Sequence, residues 1–438
     1  MLRGAAAQAQ ALASGAVTSR QLTEATLDAV EDAQASLNAT VAIFRERALA
    51  DADAADARRE RGEAGPLTGV PIAVKDDLAI AGEVTGWGSR AVTAVARQDS
   101  DYVRAVRDAG MVIVAKSTLP ELAITGFTEP ASTGPTRNPH HPDHTCGGSS
   151  GGSGALVGAS AIGIASASDG AGSIRIPAAC CGAVGFKPTN GHMPSSGGWH
   201  GLSTQRCITP TIADTALFLD TIGSFSASFT EAVGRDPEPL RIGLSFSGAA
   251  ATRPAPIDPR VREALERTAD RFRALGHEVI EVTIPYGLEA KAVTARYLGG
   301  IHASSKLVDD PALLEKRTKG IARLGGPFGG RAIAWSKRKG EQFGATVHDR
   351  VGVDVFLTPM MAGPPVTVGE WADQGPLGLI LKMNAFYAYT AQWNHAGTPA
   401  VSMPAGRTDD GLPLAIQLIA RQDDDARLMS LAAQLERA

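Results

Sequence analysis

Residues 146–191 read CGGSSGGSGALVGASAIGIASASDGAGSIRIPAACCGAVGFKPTNG, and this stretch decides how the rest of the chain is read. Twelve of the 49 glycines fall here, and the recurring reactive side chain is a serine hydroxyl. Glycine lets backbone N–H groups come close to a ligand. Serines presented on such loops are candidate nucleophiles, and the bared N–H groups are candidate anion holders. The pattern predicts an active site carried by a helix over 153–163, a strand over 163–168 and a second helix starting near Ser173.

Upstream, residues 1–62 read as helices. Thr18 and Gln21 form a capping box, and Leu22, Ala25, Leu27 and Val30 follow at helical spacing. Turn residues at 65–69 lead into VPIAV (70–74), a short buried strand that delivers Lys75, with Asp76 and Asp77 behind it. Residues 99–125 give a helix through Tyr102, Val103 and Val106, a turn at Gly110, the strand MVIVA, then Lys116 and a turn at Pro120. That is one β-α-β beat, and it predicts an α/β fold.

Downstream, 190–209 reads as loop, 214–222 as helix, and 240–246, 276–285 and 354–359 as strands. Asp258-Pro259 opens another helix, 397–420 holds two more strands, and a terminal helix runs from Asp424. Over 286–350 the periodicity is weak, and the basic residues between Lys316 and Lys339 read as a solvated helical face. No repeat or linker divides the chain, so one domain over 1–438 is expected.

The 438 residues carry a net charge of −4 and are 44% hydrophobic, enough for a substantial core. Neither nucleic acid nor an anionic membrane is an expected partner of so weak a charge. No run of about 18 apolar residues is present, so no span is predicted. Four cysteines without paired spacing (Cys146, Cys180, Cys181, Cys207) make neither a disulfide framework nor a zinc site, which fits a cytoplasmic setting.

Three positions invite chemistry. Lys75 at a strand end has its stem buried, which lowers its pKa and frees a neutral amine; the alternative is a snorkelling surface lysine. Ser173 follows SDGAG at a predicted helix start, where the N–H groups of Gly170, Ala171, Gly172 and Ser173 are placed to hold an oxyanion. Asp169 and Arg175 flank it as a bracing ion pair; the alternative is a serine N-cap. Ser149 and Ser150 lie in GGSSGGS, which also reads as a linker or, through G-x-S-x-G, as a nucleophile elbow. The elbow requires a preceding strand, and NPHHPDHTC is none. A metal reading rests on HHPDH in the loop His140–His144, where His141, Asp143 and His144 match part of a metal-hydrolase pattern; Pro139 replaces its first histidine, and the other histidines show no ligand spacing.

Together these blocks resemble the amidase signature family of serine hydrolases. GVPIAVKDDLAIAGEVTGWGS, AGMVIVAKSTLPEL, NPHHPDHTCGGSSGGSGA, SIRIPAACCGAVGFKPTNG, GTPAVSMPAG and DGLPLAIQLIA are similar to family blocks and occur in the family's order. The resemblance implies a central mixed, twisted β-sheet covered by helices on both faces: N-terminal helices over 1–62, the signature core over 65–215, a substrate-lining region over 225–350 and the C-terminal part of the sheet over 351–438. It implies a Ser–cisSer–Lys triad with Ser173 as nucleophile, Ser149 as bridging serine after a cis peptide, Lys75 as base, and no cofactor or metal. One departure is Asp169-Gly170-Ala171-Gly172-Ser173 where the family has Asp-Thr-Gly-Gly-Ser. The implied activity is C–N bond hydrolysis in small aryl amides, carbamates (urethanes) or related esters by a monomer or homodimer. An ammonia-generating subunit of a tRNA-dependent amidotransferase is the alternative. Pocket-lining residues are expected within 120–130, 195–205 and 286–350.

Overall fold

The computed structural model describes residues 3–192, 198–250 and 253–438. Among the described residues eleven strands form one sheet: β1 (Thr40–Ile43), β2 (Pro71–Lys75), β3 (Val112–Ser117), β4 (Ala165–Asp169), β5 (Val184–Lys187), β6 (Thr204–Thr209), β7 (Arg241–Leu244), β8 (Glu278–Glu281), β9 (Val355–Pro359), β10 (Ala400–Arg407) and β11 (Pro413–Ala420). Their order is β1-β3-β2-β4-β6-β5-β10-β11-β9-β7-β8. β2 runs parallel to β3 and β4, and β7 parallel to β8 and β9, while every other pairing is antiparallel. The sheet is therefore mixed, as expected.

Alternation along the central strands shows that both faces are covered. In β2, Ile72 and Val74 pack with Tyr102, Val106 and Phe218, whereas Ala73 faces the opposite core with Val30 and Leu156. In β3, Ile113 joins the first cluster, and Val112 and Val114 the second. A strand buried on both faces reads as an unbroken apolar run, which is why VPIAV and MVIVA are legible. In the C-terminal half, Leu265 and Phe272 of helix Pro259–Ala274 and Leu428 and Leu431 of helix Asp425–Arg437 cover Leu244, Leu357, Val401 and Ile416.

Several elements differ from the sequence reading. β1 interrupts the span read as wholly helical; it is a four-residue edge strand, too short for periodicity to show. β6 occupies part of the span read as loop, of which residues 193–197 lie outside the described set. TQRCIT carries no apolar pattern, yet it is buried between β4 and β5, with Arg206 1% exposed. β5 lies where no strand is expected. The glycine-window elements shift by a few residues, to helix Gly151–Gly158, β4, and helix Arg175–Cys181. The span 286–350 is helical (Leu288–Lys291, Val293–Ser304, Lys316–Gly325 and Gly330–Val351).

Helix Gly151–Gly158 explains the glycine density by close approach. A Cβ at Gly154 would lie 2.9 Å from Pro177 O, and one at Gly158 2.5 Å from Cys181 O, so this helix meets helix Arg175–Cys181 backbone to backbone. At Gly152 a Cβ would stand 2.3 Å from Ala39 O and 2.4 Å from Thr118 N, neither of which can swing away. Gly152→Ala is expected to destabilise the fold by at least roughly 1–3 kcal/mol through overpacking. Gly330→Ala, where nothing lies within 4 Å, is expected to leave the melting temperature unchanged. Thermal melts of both variants check this, and equal melting temperatures would refute it.

Candidate active site

β2 and β4 are parallel, so their C-terminal ends share one edge of the sheet, where open α/β sheets bind ligands. β2 delivers Lys75 there and β4 delivers Ser168 and Asp169. Lys75 is fully buried. Its Nζ lies 2.8 Å from Ser149 Oγ and 2.7 Å from Ser168 Oγ, hydrogen-bonded to both, and 3.3 Å from Asp77 Oδ2. Burial pushes the ammonium pKa down, opposed by the carboxylates of Asp77 and, further off, Asp169.

Ser149 reaches this amine from the loop before helix Gly151–Gly158. The Gly148–Ser149 peptide is cis. Gly148 is required by space: a Cβ there would stand 2.7 Å from Phe127 N and 2.8 Å from Thr125 O. Ser150 ties the two serine loops together, its N–H donating to Ser173 O at 3.3 Å and its hydroxyl to Ser168 O at 3.3 Å.

The Ser173 loop is pinned by the buried pair Asp169–Arg175. Asp169 accepts from Arg175 Nε at 2.9 Å, Asn394 Nδ2 at 2.8 Å, Gly172 N at 2.6 Å and Ile174 N at 3.2 Å. Burial alone would raise the carboxyl pKa, but the Arg175 charge and these donors hold it well below the usual range. Arg175 in turn donates to Gln417 Oε1 at 2.5 Å and Asn394 Oδ1 at 2.7 Å. Gly172 has φ +116°, the left-handed region that glycine favours.

The expected four-donor oxyanion cradle needs one correction. The Gly172 N–H is turned inward onto Asp169, which leaves Gly170, Ala171 and Ser173 bordering open space. The Ala171 carbonyl is itself held by Thr390 Oγ1 at 2.8 Å. Lys75, Ser149 and Ser173 are gathered at one place, but the chain of hydrogen bonds ends at Ser149: among the described residues, Ser173 Oγ makes no bond to Ser149 Oγ. Unliganded catalytic hydrogen bonds are often loose and close only around substrate.

Two cavities meet at Ser173. A chamber of about 110 Å³ has walls that include Ile124, Ile176, Leu298, Ile380 and Met383, with no charged side chain among the described residues. A larger one of about 470 Å³ includes Trp87, Leu122, Ser149, Gly170 and Gln205, and its charged or titratable members are Asp77 and His200. Ala123, Ser173 and Trp199 belong to both. The linings draw on the three expected segments, of which residues 195–197 lie outside the described set, and also on helix Pro376–Phe386, to which the sequence pattern assigns no role.

Sequence reasoning gives no role to Ser168, Asp77, Asn394 or Gln417. Asp77, two residues after Lys75, and Ser168, directly before Asp169, are adjacent to recognised positions; Asn394 and Gln417 leave no local signal. The histidine loop turns to structural duties. His140 bonds Cys181 O at 2.9 Å, and His141 and His144 pair through their Nδ1 atoms at 3.0 Å. Among the described residues no group of three or more His, Cys, Asp or Glu is placed to hold a metal.

Comparison with known proteins adds to this geometry. The amidase family model matches residues 21–322 and 331–429. AmiB2 of Mycobacterium tuberculosis (strain ATCC 25618 / H37Rv), classed by its name with the amidases, is 39% identical over 445 residues, covering 99% of this chain and 96% of its own length. The A-type subunit of glutamyl-tRNA(Gln) amidotransferase from Synechococcus sp. (strain CC9605) is 33% identical over 474 residues, covering 98% and 95%. Among solved structures, a bacterial aryl acylamidase of the amidase signature enzymes superposes with a TM-score of 0.86 at 26% identity, covering 100% of this chain and 96% of that one. 6-Aminohexanoate cyclic dimer hydrolase complexed with substrate gives 0.86 at 26% identity, covering 100% and 97%. With nearly the whole chain matched and a lysine and two serine loops converging at one sheet edge, the protein belongs to the amidase signature family of C–N hydrolases.

Proposed function

We propose that the chain hydrolyses small, uncharged amides, and by the same chemistry carbamates and esters, through an acyl-enzyme on Ser173. The observation that carries this is the buried amine of Lys75 bonded to Ser149 Oγ, beside a cavity that also holds Ser173. As Ser173 Oγ attacks the carbonyl carbon, its proton passes to Ser149 Oγ while the Ser149 proton passes to the lone pair of Lys75. The oxyanion is met by N–H groups of Gly170, Ala171 and Ser173. On collapse the C–N bond breaks, and the proton returns from Lys75 through Ser149 to the leaving nitrogen. Water then repeats the sequence on the acyl-enzyme, and the acid is released.

The smaller chamber supports an apolar acyl group, aryl or branched alkyl. A carboxylate buried there would find no cation, and an unpaired buried charge is expensive. That weighs against glutamine, with its own carboxylate and ammonium, and so against the ammonia-generating role of the amidotransferase relatives. Among the described residues no helix is long and apolar enough to cross a membrane. All four cysteines are free and buried, which supports a reducing, cytoplasmic location.

Ser173→Ala is expected to lower p-nitroacetanilide hydrolysis by roughly 10⁴-fold or more, with an unchanged melting temperature. Residual activity within tenfold of wild type would remove Ser173 from this role. Because Lys75 acts neutral and burial favours its neutral form, kcat/KM is expected to rise with pH through an apparent pKa below the ordinary lysine value of about 10.4, and to fall on acidification. A rate that stays flat from pH 5 upward contradicts it. Anilides with an uncharged acyl group are expected to outpace succinanilic acid, with its carboxylate on the acyl side, by about tenfold or more in kcat/KM; equal rates would overturn the assignment of the apolar chamber.

A further inference from the structure

Asp77 is buried, with one carboxylate oxygen, Oδ1, lacking any hydrogen-bond partner. A buried carboxylate left half-satisfied is costly, so what its other oxygen does is informative. Ser168 Oγ donates to Asp77 Oδ2 at 2.6 Å, and Lys75 Nζ lies 2.7 Å from Ser168 Oγ. We propose that Asp77 is a positioning residue for Lys75, setting the direction of hydrogens along Asp77–Ser168–Lys75–Ser149 so that the amine lone pair faces Ser149. This rests on the reading of Ser173 as nucleophile and Lys75 as base given above.

Counting donors fixes those directions. An ionised carboxylate only accepts. The single hydroxyl hydrogen of Ser168 is therefore committed to Asp77, and its oxygen is left to accept from Lys75. A neutral amine has two N–H bonds and one lone pair. One N–H goes to Ser168, the other points toward Asp77 Oδ2 at 3.3 Å, and the lone pair is left for Ser149 Oγ at 2.8 Å. Without the carboxylate the Ser168 hydroxyl is free to rotate and donate into that lone pair, which disables the base. When Ser149 passes its proton to Lys75, the resulting ammonium sits 3.3 Å from Asp77 Oδ2, which compensates the charge. The other charges nearby are already paired: Asp76 with Lys116 at 2.7 Å, and Asp169 with Arg175 at 2.9 Å. Tyr102 is buried with its hydroxyl donating to Arg206 O.

The test follows the rate of Ser173 labelling by phenylmethanesulfonyl fluoride between pH 5 and 11 on the full chain, with thermal melts and the labelled residue identified by mass spectrometry. Asp77→Asn is expected to lower the limiting rate about tenfold or more and to move the apparent pKa down by about half a unit or more, since removing the carboxylate disfavours the ammonium. Ser168→Ala is expected to lose a comparable limiting rate, and Ser168→Thr, which keeps the hydroxyl, to recover to within about threefold of wild type. The double variant Asp77→Asn/Ser168→Ala is expected to lose no more than the worse single variant. A wild-type rate and apparent pKa in Asp77→Asn would overturn the proposal, as would a wild-type rate in Ser168→Ala should Asp77→Asn not fold. Wild-type labelling at a residue other than Ser173 would overturn the nucleophile assignment and this inference with it.

Discussion

Everything at this site depends on withdrawing one lysine amine from water. In solvent the amine would be an ammonium with nothing to accept; buried, its charged form loses hydration and the neutral form gains. The sheet achieves this by placing β2 between β3 and β4, so that Lys75 is fully buried where β2 ends. Hydroxyls then supply what a buried amine needs, hydrogen-bond partners without full charges. The nearby carboxylate of Asp77 is a limit on the effect, because it pulls the equilibrium back toward the ammonium.

A second constraint ties the ends of the chain together. Arg175 and Asp169 are both fully buried, and such a pair is tolerable only when its remaining donors and acceptors are met. Asn394 and Gln417 meet them, and Gln417 lies on β11 while Asp169 ends β4. The Ser173 loop is therefore anchored by residues more than two hundred positions away. The C-terminal strands are part of the active site's foundation as well as of the core.

Much of this is legible from residues alone, for identifiable reasons. Lys75 stands at the end of an apolar run, and the glycine window announces close backbone approach. The spacing of its serines carries the family resemblance, and with it the cis peptide before Ser149. What stays hidden is long-range. The buried strand β6 shows no apolar run because only its Cys207 and Ile208 join the cores on the two faces of the sheet, while β4 and β5 supply its backbone partners. Asn394 and Gln417 are ordinary amides until the fold brings a buried guanidinium to them. The inward turn of the Gly172 N–H follows from the Asp169 carboxylate, whose orientation no spacing rule specifies. Helix Pro376–Phe386 lines the apolar chamber from a region whose role only tertiary packing reveals.

The four cysteines have a consequence for how the molecule withstands oxidants. All are buried, and burial pushes every thiol pKa upward, so the thiolate form that peroxides and electrophiles attack is scarce. Three of them, Cys146, Cys180 and Cys181, flank the serine loops as small apolar filler. Sulfur flanks the reacting oxygen on the sequence map, yet packing holds these thiols in their protonated form.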